Sequence, residues 1–510
     1  MDVSDITLIG SGIASTLTLI EVFNSLLKDA PGQKKSITVI EKTNEFWKGI
    51  PYGSRSSVNA LTITSVFDFI NEQESPLFFK WLKDSRDKWI PFYREQGSIT
   101  AERWLNNNLP LIEKEAWEDI YMPRFLYGNY LAEKLTGLLK TIEESELAVV
   151  TLIQAEAIAI KTKIGGLYEI TLEHPNHAIT VLASCKVVIA TGSAPVKKLY
   201  ASATDAAAYI NDIYEPSVTE NLRNVQQALL KANNEVDRNI LVIGSNASSI
   251  ELLYLVEGLP ELRTLIHKIV IISTSGILPY HISTEALETH PIPNLDKVSS
   301  GGSYDIKTLT DAAALDIQLA VANGANMNYV ATVISNTLKL MEPLGEQAKK
   351  EFYCIYGLRL RDMFRRSGPE YKSGSQQLVE NEEAVMLKGR FVNVTPVASG
   401  ALLNYLDTST GMQETYPMNF KVIINCTGSD NVDQCSSRLV YNLVHSGLCR
   451  MNLSGKGFEV NEKFEAAPNL FVMGPLLGGN VNKLIHFWQL ENASRLTYLA
   501  PYLAKELLTT

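Results

Sequence analysis

The chain has 510 residues, 45% of them hydrophobic and 20% charged, which is enough for two or three domains of ordinary soluble composition. Its formal net charge of −10 argues against nucleic acid and against an anionic membrane surface as partners. No apolar run reaches bilayer length, and MDVSDITLIG opens as a strand without a signal-peptide pattern, so the expected compartment is the cytoplasm.

The first element, ITLIG, is a β-branched and leucine run that reads as a buried parallel strand. GSGIAS follows, then TLTLIEVFNSLL with helical apolar spacing. In this strand–turn–helix, Gly10 permits the tight turn and Gly12 a close approach to a pyrophosphate. Ser15 stands at the third, small position, and the helix start at Ile13 and Ala14 offers N–H groups to an anion. The next strand, SITVIE, ends at Glu41, an acid suited to a ribose diol. The pattern predicts a dinucleotide-binding βαβ unit, against the plainer reading of a βαβ unit with a glycine turn. Ser11 and Lys42 join the expected contacts.

Residues 46–145 are rich in Trp, Phe and Tyr and read as a helical insert with its own core. CKVVIATGSAP is a strand ending in a small-residue turn at Thr191 and Gly192. RNILVIGSNASSIELLYLV then repeats the first pattern, with Gly244 first, Asn246 in place of the second glycine and Ser249 third; Ser245 and Ser248 lie between. Asn tolerates left-handed backbone, so the motif is weakened and not lost. The following strand, HKIVIIS, ends in Ser273 and Thr274 without an acid, which tilts the second nucleotide towards NADPH over NADH. Two such turns imply two dinucleotides, a resident FAD at the first and a visiting NADPH at the second.

DAAALDIQLAVANGANMNYVATVISNTLKL reads as amphipathic helix inside an insert at 305–384. Arg365 and Arg366 open RRSGPEY, as an anion clasp or as a solvated helix end. FKVIINCTGSD brings a second TG turn at Gly428. NLFVMGPLLGGN carries Gly474, and VNKLIHFWQLENASRL after it reads as a helix whose N-terminus, at Asn480 and Val481, would face the flavin. Five cysteines and seven histidines show neither CxxC nor zinc-like spacing, so buried reduced thiols and no metal are expected.

The fold class expected is therefore α/β, with two Rossmann-like dinucleotide-binding domains and helical insertions. The boundaries expected are 1–195 for the first part of the FAD domain, 196–384 for the NADPH domain and 385–510 for the return to the FAD domain.

This order of turns resembles the two-dinucleotide flavoproteins, which include the flavin-containing and N-hydroxylating monooxygenases. More specifically, the chain is similar to the bacterial FAD/NAD(P)-binding family marked by PRxxYGxYL, here PRFLYGNYL from Pro123 to Leu131. IPYGSRSSVNALT, which holds Asn59 and Thr62, also resembles that family, as do FFKWL, STSGILP and RRSGPEY. The N-hydroxylases typically read GGGQSAAE at the second turn. This chain reads GSNASSIE, matching at Ser248 and Glu251, but holds Cys185 and Ser193 where those enzymes often have Asp and Tyr near the ATG turn. Trp47, in the EFWKG segment after Glu41, joins the expected flavin contacts through this resemblance.

The resemblance implies a single-component FAD-dependent, NADPH-using monooxygenase acting through a C4a-(hydro)peroxyflavin. Its partners would be O2 and a small-molecule substrate, an amine or amino acid N-hydroxylated in a natural-product pathway. The alternatives are a flavin dehydrogenase or reductase, a single-component flavin halogenase, and a flavin-binding scaffold. Arg124, Tyr127, His486 and Trp488 are the candidate catalytic residues.

Overall fold

The computed structural model describes residues 3–29, 32–199, 206–281, 291–322, 327–363, 366–486 and 492–509. The chain begins with β1 (Val3–Ile9), α1 (Ile13–Lys28) and β2 (Lys35–Glu41). Their inner positions are Ile, Leu and Val with both faces covered, as a parallel strand between helices requires. The aromatic insert then forms α2 (Gly49–Tyr52), α3 (Val66–Phe69), α4 (Ser75–Asp84), α5 (Arg86–Glu113) and α6 (Arg124–Glu144). Strands β3 (Ala148–Gln154), β4 (Glu156–Thr162), β5 (Tyr168–Glu173) and β6 (Ile179–Ile189) follow.

The second half of the alternation runs β7 (Ala208–Ile210), α7 (Val218–Leu230), β8 (Asn239–Ile243), α8 (Ala247–Glu257), α9 (Pro260–Arg263), β9 (Lys268–Ser273) and β10 (Tyr280–His281). A helical insert comprises α10 (Pro293–Ser300), α11 (Ile306–Ala322), α12 (Met327–Met341), α13 (Gly345–Glu351), a π-helical turn at Phe352–Tyr356, and α14 (Gly357–Met363). After it come β11 (Arg366–Ser367), α15 (Pro369–Glu380), β12 (Ala384–Val397), β13 (Gly400–Asp407), β14 (Gln413–Phe420) and β15 (Val422–Asn425). The chain closes with α16 (Arg438–His445), β16 (Glu465–Ala467), β17 (Leu470–Val472) and α17 (Ala493–Leu508).

Two sheets result. In the first, β17, β6, β1, β2 and β3 are parallel neighbours, with β16, β4 and β5 added antiparallel. In the second, β7, β15, β8, β9 and β12 repeat that parallel order, and β13 and β14 extend it antiparallel. Thus β8 stands where β1 stands, β9 where β2 does, β12 where β3 does and β15 where β6 does. The expected α/β class with two Rossmann-like units is what the chain forms.

Two expectations need correction. The aromatic insert has no core of its own: Tyr93, Trp104, Tyr127 and Phe78 are fully buried in one cluster continuous with β1, β2 and α1. The predicted helix over 311–340 falls on α11 and α12, with residues 323–326 outside the described residues. The chain also does not return to the first sheet at 385. β12 pairs with β9 and β15 with β8, and only β16, β17 and α17 rejoin the first sheet, where α17 packs on α1. The helices α10–α14 do have a separate core, around Leu309, Ile317, Val333 and Phe352.

No helix among the described residues is long and apolar enough to cross a membrane. A cavity of about 30 Å³ lies between α5, α8 and α15, lined by Arg103, Trp104, Asn107, Tyr254, Glu370 and Ser373. Burial there pushes the Glu370 carboxyl above its ordinary value of 4.5. The folded chain therefore holds a proton the unfolded chain releases, and stability contributed by the neutral acid is lost as pH rises from that value through the raised one. Glu370→Gln removes this loss, so its melting temperature should gain on the parent more at about pH 8 than at about pH 5. Equal gains at both would show that Glu370 ionises normally.

Candidate functional site

The two glycine turns superpose hydrogen bond for hydrogen bond. Gly10 N donates to Ile40 O and Gly244 N to Ile272 O, both at 2.8 Å. Ala190 N donates to Ile9 O at 2.9 Å and Cys426 N to Ile243 O at 2.8 Å. Gly10 has φ +91° and Gly244 φ +103°, and a Cβ on either would lie 2.5 Å from a carbonyl, that of Ala190 or of Cys426. Glycine is demanded twice over, by backbone conformation and by close approach. The serine at the third position does more than stay small: Ser15 Oγ donates to Gly10 O at 2.5 Å and Ser249 Oγ to Gly244 O at 2.6 Å.

The second position is not left-handed in either turn. Gly12 (φ −68°, ψ −177°) and Asn246 (φ −89°, ψ −163°) are both extended N-cap residues. Asn is a preferred N-cap residue, so Asn246 introduces no strain. Neither residue caps its helix with a side-chain hydrogen bond, and neither α1 nor α8 carries an acid in its first turn. By contrast, Ser217 caps α7 and Ser437 caps α16. The leading N–H groups of α1 and α8, from buried Ile13 and Ala14 in one and from Ala247 and Ser248 in the other, are thereby left to an external anion, while Ser249 N already donates to Asn246 O at 3.0 Å.

Around the first turn the structure gathers most of the expected residues. Glu41 Oε2 accepts from Ser11 N and Ser11 Oγ, each at 2.9 Å, while Oε1 accepts from Thr43 N at 3.0 Å. Trp47 is buried at φ +78°, and its carbonyl accepts from Thr16 Oγ1 at 2.8 Å. Gly474 (φ +95°) lies against α1, where a Cβ would be 3.3 Å from Ala14 Cβ. Thr191 is exposed beside Gly192 (φ +81°), and a Cβ on Gly192 would meet nothing within 4 Å among the described residues; Gly428 (φ +89°) is the same. Lys42 instead points to solvent and pairs with Glu156 at 3.5 Å.

Around the second turn, Ser245 is buried, Thr274 is exposed, and Ser273 Oγ accepts from Gly276 N at 3.0 Å. The crossovers that follow β6 and β15 lie side by side, joined by an antiparallel bridge between Val196 and Ser429. Asp430 N donates to Pro195 O there at 2.8 Å.

The motif segments converge elsewhere, on Glu251 in α8. Its carboxylate is paired with Arg124 of PRFLYGNYL at 2.8 Å and accepts from the Tyr214 hydroxyl at 3.0 Å and the Tyr371 hydroxyl at 3.3 Å. Ser56 Oγ accepts from the same guanidinium at 2.9 Å, and Tyr371 Oη accepts from Leu61 N at 2.8 Å. Ser248 reaches the Tyr214 hydroxyl, which burial holds protonated. Tyr214 carries no sequence signal, and Tyr371 carries one only as the last residue of RRSGPEY. The Arg, the Glu and RRSGPEY were visible as motif pieces, but not as one cluster.

Tyr127 lies in the core with its ring edge-on to Phe69 and Phe78 at 5.1 and 5.5 Å. Asn59 Nδ2 donates to Gly97 O at 3.0 Å, and Thr62 Oγ1 accepts from Met122 N at 3.1 Å. These contacts tie the insert to itself, away from both turns.

The predicted helix starting at Asn480 and Val481 is not formed. Asn482 Oδ1 accepts from Leu484 N at 2.9 Å and Ile485 N at 2.8 Å, an Asn-centred turn that competes with helix. Val481 and His486 bridge across it, and the helix begins only at Ala493. Asn480 is buried, donating to Phe458 O at 2.7 Å and accepting from Val460 N at 3.1 Å. His486 is exposed, 6.5 Å ring to ring from Tyr353 of the π-helical turn. Cys354 of the same turn donates to Gly479 O at 2.8 Å, so the helical insert docks on the glycine-rich segment after β17. Trp488 and Arg365 lie outside the described residues.

Residues 7–194 match the family described as FAD-NAD(P)-binding. Uncharacterised proteins of Mycobacterium tuberculosis and Mycobacterium bovis are each 34% identical to the chain, over 99% of its length and 95% of theirs. Among solved structures, the ornithine hydroxylase PvdA of Pseudomonas aeruginosa is similar over 99% of both chains, with 13% identity and a TM-score of 0.54. The FAD-bound cadaverine monooxygenase DfoA of Erwinia amylovora covers the whole of this chain with 95% of its own, at 10% identity and a TM-score of 0.55. The ornithine N-hydroxylase KtzI of Kutzneria sp. 744, solved with reduced FAD, NADP+ and L-ornithine, has 14% identity and a TM-score of 0.53 over 99% of both chains. At such identities the likeness is one of fold.

Truncating Arg124 leaves the Glu251 carboxylate buried without its cation. Arg124→Ala should cost about 3–5 kcal/mol in urea denaturation followed by circular dichroism. Arg124→Met combined with Glu251→Leu should recover most of it, since a packed apolar pair carries no desolvation penalty. A loss below about 1 kcal/mol for the single variant would show the pair to be solvated.

Proposed function

The chain belongs to the bacterial FAD/NAD(P)-binding family, and from that premise we propose that it is an FAD-dependent, NADPH-using monooxygenase that N-hydroxylates an amine or amino acid. The observation that carries the reading is the pair of matched turns, each presenting an uncapped helix N-terminus at the carboxyl end of a parallel sheet. A fold-level likeness to ornithine and cadaverine hydroxylases supports the reaction class.

The residues present fit two dinucleotides. Gly10, Gly12 and the first turn of α1 would take the resident pyrophosphate, and Glu41, held by Ser11 and Thr43, the adenosine ribose. Trp47, Thr191, Gly192 and Gly474 border the same turn. Gly244, Asn246, Ser248 and Ser249 would take the visiting pyrophosphate, with Ser273 and Thr274 at its ribose. FAD, once reduced by NADPH, supplies the oxygen chemistry. The protein's work is to bind, to orient and to keep water out. Gly192 and Gly428, both open to approach, lie on the two crossovers joined at Val196 and Ser429, between which hydride would pass. The insert residues Tyr353 and Cys354, seated on Gly479 and beside His486, are placed to shape the substrate end. A disulfide-reductase variant of the chemistry finds no support in the sequence, because the five cysteines form no CxxC or CxxxxC pair to relay electrons.

Two experiments test this. Gly10→Ala should strip the flavin from the purified protein, read as loss of the visible flavin absorbance. Gly244→Ala should retain flavin and raise the NADPH concentration for half-maximal flavin reduction about tenfold or more, since each methyl strains the backbone by about 1–3 kcal/mol. Flavin retained in Gly10→Ala, or unchanged reduction in Gly244→Ala, would reverse the assignment.

In the parent, anaerobic NADPH should bleach the flavin. Rapid mixing with oxygen and an amine panel should then give a spectral transient before reoxidation and a hydroxylamine product. Reoxidation to peroxide with every amine would favour the reductase reading.

A further inference from the structure

The second sheet places a cation where the first has a neutral side chain. In the first sheet Glu41, the last residue of β2, lies in register with Gln154 of β3. In the second, Ser273, the last residue of β9, lies in register with Lys388 of β12. The equivalent corners thus differ by an acid exchanged for a hydroxyl and an amide exchanged for an ammonium. The loop after β9 runs directly over Lys388: a Cβ on Gly276 (φ +67°) would be 2.8 Å from Lys388 Cβ. Ser275 Oγ lies 3.2 Å from Ser273 Oγ in that loop. Lys388 and Arg390 are exposed and two residues apart on one strand, hence on one face. Neither forms an ion pair among the described residues; the nearby Asp407 carboxyl is held low chiefly by its hydrogen bonds from Ser409, with Lys388 the smallest contributor. The Asp407 carboxylate is already taken by Ser409 N at 2.7 Å.

We propose that Lys388, with the hydroxyls of Ser273 and Ser275, forms the 2′-phosphate pocket that makes this chain select NADPH over NADH; this rests on the second-nucleotide reading above. A ribose bearing a free 2′-hydroxyl wants an acceptor such as Glu41, whereas a 2′-phosphate wants donors and positive charge. The corner beside Ser273 offers donors and positive charge, with no acid at the strand end. Arg390, one step further on the same face, extends the positive field outward.

The test uses the flavin-loaded full chain and calorimetric titration with two probes, 2′,5′-ADP and 5′-ADP. The parent should bind 2′,5′-ADP about tenfold or more tightly than 5′-ADP, as a charge-assisted contact implies. Lys388→Ala should abolish that preference by weakening 2′,5′-ADP while leaving 5′-ADP unchanged, and Lys388→Arg should keep it. Because Lys388 is exposed, unchanged melting temperatures are expected for both variants. A preference that survives in Lys388→Ala, or equal binding of the two probes by the parent, overturns the pocket and leaves the second nucleotide site standing. Failure of both probes to bind the parent overturns the second site and the pocket together.

Discussion

The structure depends on one buried ion pair. Arg124 and Glu251 meet at 2.8 Å with both side chains largely out of water, and neither charge is tolerable there without the other. Arg124 opens α6 in the helical insert of the first unit, and Glu251 belongs to α8, which follows the second glycine turn. The pair thus fastens the helix that would meet one dinucleotide to the unit that would hold the other. Tyr214 and Tyr371 complete the acceptor's needs, and Arg103 repeats the arrangement one helical stretch further on by pairing with Glu257 at 2.8 Å. From Ser249 to Glu257 every residue of α8 is buried, which explains a helix with apolar residues all round.

That arrangement explains why the family's segments are spread over the chain. IPYGSRSS, PRFLYGNYL, GSNASSIE and RRSGPEY each contribute a group that touches Glu251 or Arg124, through Ser56, Arg124, Glu251 itself and Tyr371. Such segments constrain the seating of one unit on the other more directly than they constrain a reacting atom. The paired crossovers at Val196 and Ser429 and the seat of the helical insert on Gly479 lie elsewhere.

What the sequence made legible follows from local chemistry. Both turns were readable because strand, glycine and helix are contiguous, and Glu41 because it ends the very next strand. Three kinds of information were out of reach. Sheet register brings Lys388 beside Ser273 across a whole helical insert, and no local pattern records it. Helical spacing after Gly479 was misleading because the Asn482 side chain satisfies the backbone N–H groups of Leu484 and Ile485 and so diverts the chain into a turn. The return to the first sheet was placed too early because the start of β12 and the whole of β15 are as apolar as the strands of either unit, and composition does not say which sheet a strand joins. The Asn246 position was read as a tolerated defect, and is an ordinary N-cap.

The topology also has a consequence for synthesis on the ribosome. The second sheet lies wholly between β6 and β16 in the chain, so it is an insertion within the first. β17 flanks β6, and α17 covers α1, yet both are made only after the whole second sheet. The unit whose turn emerges first is therefore the last to be closed. It must wait as an open parallel sheet, with one face of α1 and one edge of β6 uncovered, while the inserted unit can fold as soon as β15 is out. Long-range parallel pairing of this kind is slow and exposes apolar surface while it waits. A nascent chain of this design carries its own risk of aggregation, and a flavin arriving before α17 would find only part of its seat.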